Sequence, residues 1–547
     1  MRICSPLCSI SNGFNDNLPS GLPNDKYFPY DTLEAKVALP DRWTPTPNDP
    51  VDPPPPTKTG QKKVQAVSSE VPSSHLVVPH ASGTSDVLKK IDLITALQYG
   101  TAQGYPPLYE WCLEFVRTAL HPNIPYKGGP DVILTCGNTD GCSKALQCLN
   151  NEWVEGDPIA EREGLLVEKY TYMNAIQAAV PRGMTITPVK IDDEGMVAAG
   201  PGGLEDVLEN WDYSKGKRPH LIYTVTIGQN PTSGVLSLQR RQEIYALCQK
   251  FDIMIIEDDP YWYLQFPSAS PNKPKEGFVP PAHHPLVPAR KWKKSGYPFL
   301  DSLVPSYLSI DVDGRVVRLD TFSKTVAPGC RLGWITAQPH IVERILRITE
   351  TSTQQPSGFV QSMIAELVVG PPSKDESDLP GTVPPANGGM KDGSGWNIAG
   401  WVRWLEGLRG NYERRMNAMC DVLDSGKFIL KAGRRPSLEG LAQQTGNLFL
   451  DAHNFAAKSS PNGKADAMDE EEWSVIQKTK IYDFVRPLGG MFIWIRFDFT
   501  THPLASKVEH EKLSRALWVF WTTKGYKILV SPGQMFAPTP EIRDDVS

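Results

Sequence analysis

The run Ile253-Met254-Ile255-Ile256 passes directly into Glu257-Asp258-Asp259. Four apolar residues without alternation leave no face for water, so they read as a strand covered on both sides. Just before it, Leu238 to Phe251 sets Ile244, Leu247, Cys248 and Phe251 at helical spacing. The same unit recurs along the chain. Val132–Thr135 reads as a strand with a helix over Cys142–Leu149, Leu221–Thr226 as a strand before a Gly/Asn/Pro turn, and Val316–Leu319 as another strand. Continuous apolar strands alternating with helices predict an α/β fold built on a mostly parallel sheet. Ligands of such sheets sit beyond the carboxyl ends of the strands. The residues just after each strand are therefore the ones to examine.

The chain has 547 residues, 40% of them hydrophobic and 22% charged. That suffices for two to four domains at roughly 150 residues each and excludes disorder for the bulk. Basic residues (56) and acidic residues (62) are interspersed, with net charge −6. Neither nucleic acid nor an anionic membrane is an expected partner. No apolar run approaches the roughly 18 residues of a membrane span. Met1–Ile10 carries one arginine and no secretory or transit signal. Cys136, Cys142 and Cys148 are six apart, and Cys4 and Cys8 four apart, which is not zinc-site spacing. No metal is expected, and the nine cysteines read as reduced thiols of a cytoplasmic protein. Proline, at 50 residues, clusters in Asn48–Pro56, Phe266–Pro305 and Gly370–Gly395. With the polar stretch Ala457–Glu472, these read as surface insertions; His283 and His284 in one of them read as solvent-exposed.

Five strand ends and turns carry polar residues of complementary kinds. Thr135 to Gly141 offers a helix N-terminus that suits a phosphate, or an ordinary helix capped by Thr139 or Asp140. Gly228 to Gly234 holds Asn230 before Pro231, a plain turn or an amide aimed into the cleft. Glu257-Asp258-Asp259-Pro260-Tyr261 sets three carboxylates together, which repel unless a cation is near; it is a solvated loop or presents a carboxylate to a protonated heterocycle. Arg318 to Lys324 places a lysine beside small hydroxyls, and Arg331 follows seven residues on between Gly329 and Gly333. Hydroxyls and a guanidinium beside an amine suggest a phosphate dock next to a nucleophile. Glu168 to Gln177 offers an aromatic ring for stacking, or a core tyrosine.

The ordered set Asn230, Asp258, Tyr261, Lys324 and Arg331 lies within TVTIGQNPTSG, DIMIIEDDPYWYLQF and DVDGRVVRLDTFSKTVAPGCRLGW, with PLGGMFIWIRF further on. Together these resemble the fold-type I, pyridoxal-phosphate-dependent aminotransferases of class I/II. The branch they resemble holds the kynurenine/2-aminoadipate and fungal aromatic amino acid aminotransferases, and the likeness runs from about Gly21 to Pro538. It implies a large cofactor domain over residues 61–338 with a mostly parallel seven-stranded sheet. Residues 1–60 and 339–547 would form a smaller α/β domain. It implies that Lys324 bonds the cofactor aldehyde and later moves the substrate proton, and that the site must lower the pKa of this amine. Asp258 would pair with the pyridinium nitrogen, and Asn230 and Tyr261 with the phenolic oxygen. Arg331, Ser323, Thr321 and the amides of Asn138 and Thr139 would hold the phosphate, with Tyr172 stacked on the ring. Tyr99 would reach the phosphate of a partner subunit, which implies a homodimer with shared sites. Gly21 and Asn230 would face the substrate.

The implied activity moves the amino group of an aromatic amino acid, kynurenine or 2-aminoadipate to a 2-oxo acid such as 2-oxoglutarate. A lyase or decarboxylase would use the same lysine, and product analysis separates them. Three departures bear on this. Asn138-Thr139 stands where the family has a Ser-Gln type pair, and Ser20 where it has a second glycine. The resemblance stops at Ser547, before the family's strand with the carboxylate-binding arginine; Arg543 is not its equivalent. The expectation is a catalytically weak enzyme, unless Arg434 or Arg435 substitutes.

Overall fold

A computed structural model describes residues 21–45, 73–267, 292–370, 395–433, 475–523 and 525–545. The Asn48–Pro56 and Ala457–Glu472 stretches, His283, His284, Arg434 and Arg435 lie outside the described residues, as does nearly all of Gly370–Gly395.

An N-terminal antiparallel hairpin joins β1 (Thr32–Ala38) to β2 (Ser73–Pro79). The large sheet contains β3 (Asp131–Thr135), β4 (Gly164–Glu168), β5 (Thr185–Val189), β6 (Leu221–Thr224), β7 (Met254–Asp258), β8 (Val316–Thr321) and β9 (Gly333–Ala337). Its order is β3-β9-β8-β7-β6-β4-β5. All neighbours are parallel except β9, which runs antiparallel to both β8 and β3. Every residue of β4, β6, β8 and β9 is buried, as expected of strands covered on both faces. The edge strand β5 is only partly covered.

Helix α1 (Asn138–Leu149) begins a turn earlier than its apolar pattern predicts. Its N-cap is Gly137, at φ +90°, with no side-chain cap. Neither Thr139 nor Asp140 caps it, because Asp140 turns back to accept from the Cys136 amide (2.9 Å) and to pair with Lys144 (2.8 Å). Short α2 (Met173–Ala179) follows β4. Helix α3 (Leu238–Phe251) occupies its predicted span. The Ser237 hydroxyl accepts from the Arg240 amide at its start, and Asp252 ends it in the left-handed region. Then come α4 (Pro339–Glu350), α5 (Gly358–Val368) and α6 (Asn397–Ser425).

The period-2 pleat sorts the sheet residues by face. On one face, Leu166, Ile222, Ile255 and Val316 pack with Ile244, Tyr245 and Cys248 of α3. Along it, Leu134, Phe322 and Trp334 join a second core with Ile364 and Leu367 of α5 and Trp401 and Leu405 of α6. The opposite face carries α1, whose Gly141 meets Leu319 and Ile335. Phe299, Leu300 and Leu303 are also buried in the second core. This corrects the reading of Phe266–Pro305 as a surface insertion throughout. The helix Pro298–Asp301 sets its apolar residues on the core, and Phe266 is buried at the other end.

Packing divides the chain elsewhere than at residue 338. One compact unit comprises Met1–Ala418, Val485–Trp494 and Ile528–Ser547, because α5 and the first turns of α6 share the core of Trp111 and Phe322. The other comprises Met419–Phe484 and Ile495–Lys527. It contains two antiparallel strand pairs, Phe428–Gly433 with Val475–Lys480 and Tyr482–Phe484 with Ile495–Phe497, and the helix His510–Thr522.

Candidate active site

The carboxyl ends of β3, β6, β7 and β8 bring the polar turns of the sequence together. Sheet parity decides what each of the three adjacent carboxylates does. Glu257 and Asp259 point to the α3 face, where two fully buried arginines meet them. Arg241 of α3 reaches Glu257 at 3.0 Å, and Arg318 of β8 reaches Glu257 (3.2 Å), Asp259 (3.1 Å) and Asp320 (3.0 Å). Asp259 also accepts from the Thr226 amide (2.9 Å) and the Thr226 hydroxyl. The cations that relieve the repulsion are thus internal, which argues against the solvated-loop reading. Sequence reasoning gave neither arginine a role. Arg241 sits in the apolar stripe of α3, and a charge there was the signal available.

Such a network is costly to break, because removing one partner strands the others without water. Arg318→Met is expected to destabilise the protein by about 3–5 kcal/mol in denaturant unfolding. A loss below about 1 kcal/mol would show that the carboxylates do not depend on it.

Asp258 points to the α1 face. Its Oδ1 accepts from Asn138 Nδ2 at 2.6 Å and its Oδ2 from the Tyr223 hydroxyl at 2.7 Å. Burial pushes its carboxyl up to about 6; the two donors pull the other way, and Asp259 and Asp320 raise it further. Tyr223 was missed by sequence reasoning, since a tyrosine inside the apolar strand LIYTVT carries no polar signal. Asn138 was expected to act through its amide alone.

The turns after β3 and β8 form a cradle for an anion. Arg331 sits in the left-handed region at φ +46°. Its guanidinium donates to Cys136 O (3.0 Å), Pro328 O (3.1 Å) and Ser323 Oγ (3.4 Å). Thr321 Oγ1 and Ser323 Oγ are 2.9 Å apart. The first intrahelical bond of α1 is Gly141 N to Gly137 O, which leaves the Asn138 and Thr139 amides free at the positive end of the helix. Gly137 is required here. A Cβ on it would lie 2.5 Å from Arg331 Nη2, and its φ of +90° strains any L side chain. Gly137→Ala is expected to weaken retention of a bound phosphate group by about 10-fold or more. Equilibrium dialysis of the purified variant measures it, and unchanged retention would remove Arg331 from the cradle.

Lys324 is half-buried after β8, its Nζ 6.0 Å from the centroid of the Tyr261 ring. Tyr261 is buried, and Asp258, Tyr172 and Tyr412 are close enough to act on its hydroxyl, which burial pushes well above the usual range. Tyr261 meets Phe492 edge-on at 5.5 Å, and Tyr170 lies 5.2 Å from Trp494. The segment bearing Phe492 and Trp494 is anchored at a point of close backbone approach. Gly490 N donates to Leu264 O, and a side chain on Gly228 would run into the Gly490 backbone. Phe492, Trp494 and Tyr412 were not singled out as site residues. Asn230 is half-buried, before a cis bond to Pro231. Of two further expected residues, Tyr99 is 65% exposed, and Gly21 is exposed at φ +64° with open space where a side chain would stand.

The residues fit pyridoxal phosphate. Asn230 Oδ1 is buried without a donor, an orphan that a bound hydroxyl or protonated ring oxygen would satisfy. Asp258 is a desolvated carboxylate whose strongest charged neighbours are themselves carboxylates, so a cationic ring nitrogen suits it. The cradle of Arg331, Ser323, Thr321 and the α1 amides suits a phosphate.

A sheet of this topology with an amine, a buried carboxylate and an anion cradle at its strand ends defines a pyridoxal-phosphate-dependent enzyme, and relatives make it an aminotransferase. The comparisons agree. The chain belongs to the family of aminotransferases of class I and II, whose profile matches residues 88–382. An aromatic amino acid aminotransferase of Schizosaccharomyces pombe is 35% identical over 411 residues, 75% of this chain and 70% of that protein. An L-tyrosine:2-oxoglutarate aminotransferase of Tapinella panuoides is 32% identical over 425 residues, 77% of this chain but only 61% of that protein's length. The crystal structure of the aminotransferase Aro8 from Candida albicans superposes with a TM-score of 0.66 at 26% identity, covering 98% of this chain and 87% of the other.

Proposed function

We propose that the enzyme takes its amino group from an aromatic amino acid and passes it to a 2-oxo acid such as 2-oxoglutarate. The observation that carries this reading is the pair of rings beside Lys324, Tyr261 with Phe492 edge-on against it. Faces and edges of this kind favour an aromatic side chain over a charged one. The relatives from S. pombe and T. panuoides act, by name, on aromatic amino acids and on tyrosine with 2-oxoglutarate, which supports the same choice. Kynurenine and 2-aminoadipate are the other donors to compare.

When bound, the cofactor supplies an electron-withdrawing ring that stabilises negative charge at the substrate Cα. In this reading Asp258 keeps the ring nitrogen protonated, with Asn138 and Tyr223 holding both carboxylate oxygens in place. Lys324 Nζ carries the proton between substrate carbon and ring substituent. Asn230 and Tyr261 hold the ring oxygen, and Tyr172 covers the ring face. Arg331, Ser323, Thr321 and the amides of Asn138 and Thr139 hold the phosphate. Gly21 and Asn230 border the substrate. A homodimer completes the reading: exposed Tyr99 serves the phosphate of the second subunit, and the protein works in the cytoplasm. The test assays phenylalanine, tyrosine, kynurenine and 2-aminoadipate with 2-oxoglutarate and identifies products. Aromatic oxo acid with glutamate is expected. Preference for 2-aminoadipate would overturn the donor assignment, and release of pyruvate with ammonia or of CO₂ would overturn the reaction.

A further inference from the structure

Away from the strand ends, β2, the segment Ser82–Ile91, α5 and Gly370 line a half-open cavity of about 210 Å³. Pockets for drug-sized ligands run to roughly 300–1,000 Å³, so this smaller one is scaled for a single small metabolite. Val77, Pro79 and Ile91 make apolar walls, and Glu366 of α5 and Lys89 line it as well.

Glu366 is the unexplained group. It is 8% exposed and has no hydrogen bond or ion pair among the described residues. Burial alone pushes its carboxyl up to about 7. The nearby groups are committed elsewhere. The Tyr105 hydroxyl donates to Lys90 O and accepts from the Asp92 amide, both at 3.0 Å, and the Lys90 ammonium pairs with Asp92 at 3.5 Å. Lys89 is exposed and carries no ion pair among the described residues. The carboxylate is partly desolvated and opens onto the cavity, and a cation that enters there offsets the cost of that desolvation.

We propose that this cavity binds a small α-amino acid, its ammonium on Glu366, its carboxylate on Lys89 and its apolar side chain against Val77, Pro79 and Ile91. Only a ligand with all three parts satisfies the lining at once. None of the lining residues belongs to the strand-end cluster, so the site is a second one and stands whatever the donor of the transamination is.

The test uses the full-length holoenzyme after borohydride has reduced the bond between lysine and cofactor, so that no amino acid is consumed. L-leucine is titrated calorimetrically, with isoamylamine (no carboxylate) and 4-methylpentanoate (no ammonium) as probes. L-leucine is expected to give a saturable binding event. Glu366→Gln, which keeps shape and loses charge, should weaken it by about 10-fold or more, as for loss of one partner of a buried charge pair. Lys89→Met should weaken it less, and 4-methylpentanoate should not bind. Unreduced Glu366→Gln should keep its turnover and melt no lower than the unaltered enzyme, because the amide carries no charge to desolvate. If that variant folds poorly, Val77→Phe, which fills the cavity and leaves the carboxylate in place, must abolish the same event. Equal L-leucine affinity in the unaltered enzyme and in whichever of these variants folds, or no binding at all, overturns the proposal.

Discussion

Lys324→Ala protein is expected to lose transamination by roughly 10⁴-fold while it still folds and takes up cofactor. The amine stands after β8, half-buried, facing the Tyr261 ring at 6.0 Å. A positioned proton carrier contributes about 10²–10⁴-fold, and this residue also makes the covalent attachment, so the upper end applies. The companion measurement reduces the unaltered holoenzyme with borohydride and maps the pyridoxyl group to a peptide. The label belongs on Lys324. A label on another lysine, or retained turnover in Lys324→Ala, would mean that the strand-end geometry had been assigned to the wrong amine.

Asp258→Asn is expected to lower kcat by roughly 10²–10³-fold, the usual size of a lost preorganised charge contact. The same substitution should stabilise the protein without its cofactor. The folded-state carboxyl sits at about 6, above the ordinary value of about 3.9 for an unfolded chain. Between those values the folded protein binds more protons than the unfolded one. Stability therefore falls as pH rises from about 4 through 6, and near pH 7.5 the ionised group costs about 3 kcal/mol, at about 1.4 per unit. The amide of the variant carries no charge to desolvate, so that part of the slope should vanish. Thermal melts of the two cofactor-free proteins between about pH 5 and 7.5 measure the difference. Near-normal turnover, or parallel melting curves, would transfer the role to another carboxylate.

Asp259 is the nearest rival and makes a useful control. It is already held by Arg318 and by the Thr226 amide and hydroxyl. Asp259→Asn should act mainly on stability.

Linear order was enough for four strands of the sheet, β3, β6, β7 and β8, but not for β4, β5 or β9. The apolar runs Ile253–Ile256 and Leu221–Thr226 have no amphipathic alternative, so each had to be a strand covered on both faces, and Val316–Leu319 read as a strand although Arg318 interrupts it. Strand ends then located the cluster, because Asn230, Asp258, Lys324 and Arg331 all follow such strands closely. What parity and packing did to those residues was not in the order of letters. Three adjacent carboxylates look equivalent in sequence, and only the pleat turns Glu257 and Asp259 to the arginines of one face and Asp258 to Asn138 on the other. Arg241, Arg318 and Tyr223 gained their partners across the sheet or from α3, at separations up to 61 residues in the chain, which local pattern does not encode. Phe492 and Trp494 reached Tyr261 and Tyr170 only because Gly228 and Gly490 lack side chains and let two backbones touch. Glu366 shows the same division: its burial follows from α5 closing over the hairpin, and an isolated glutamate in a helix gives no sign of it.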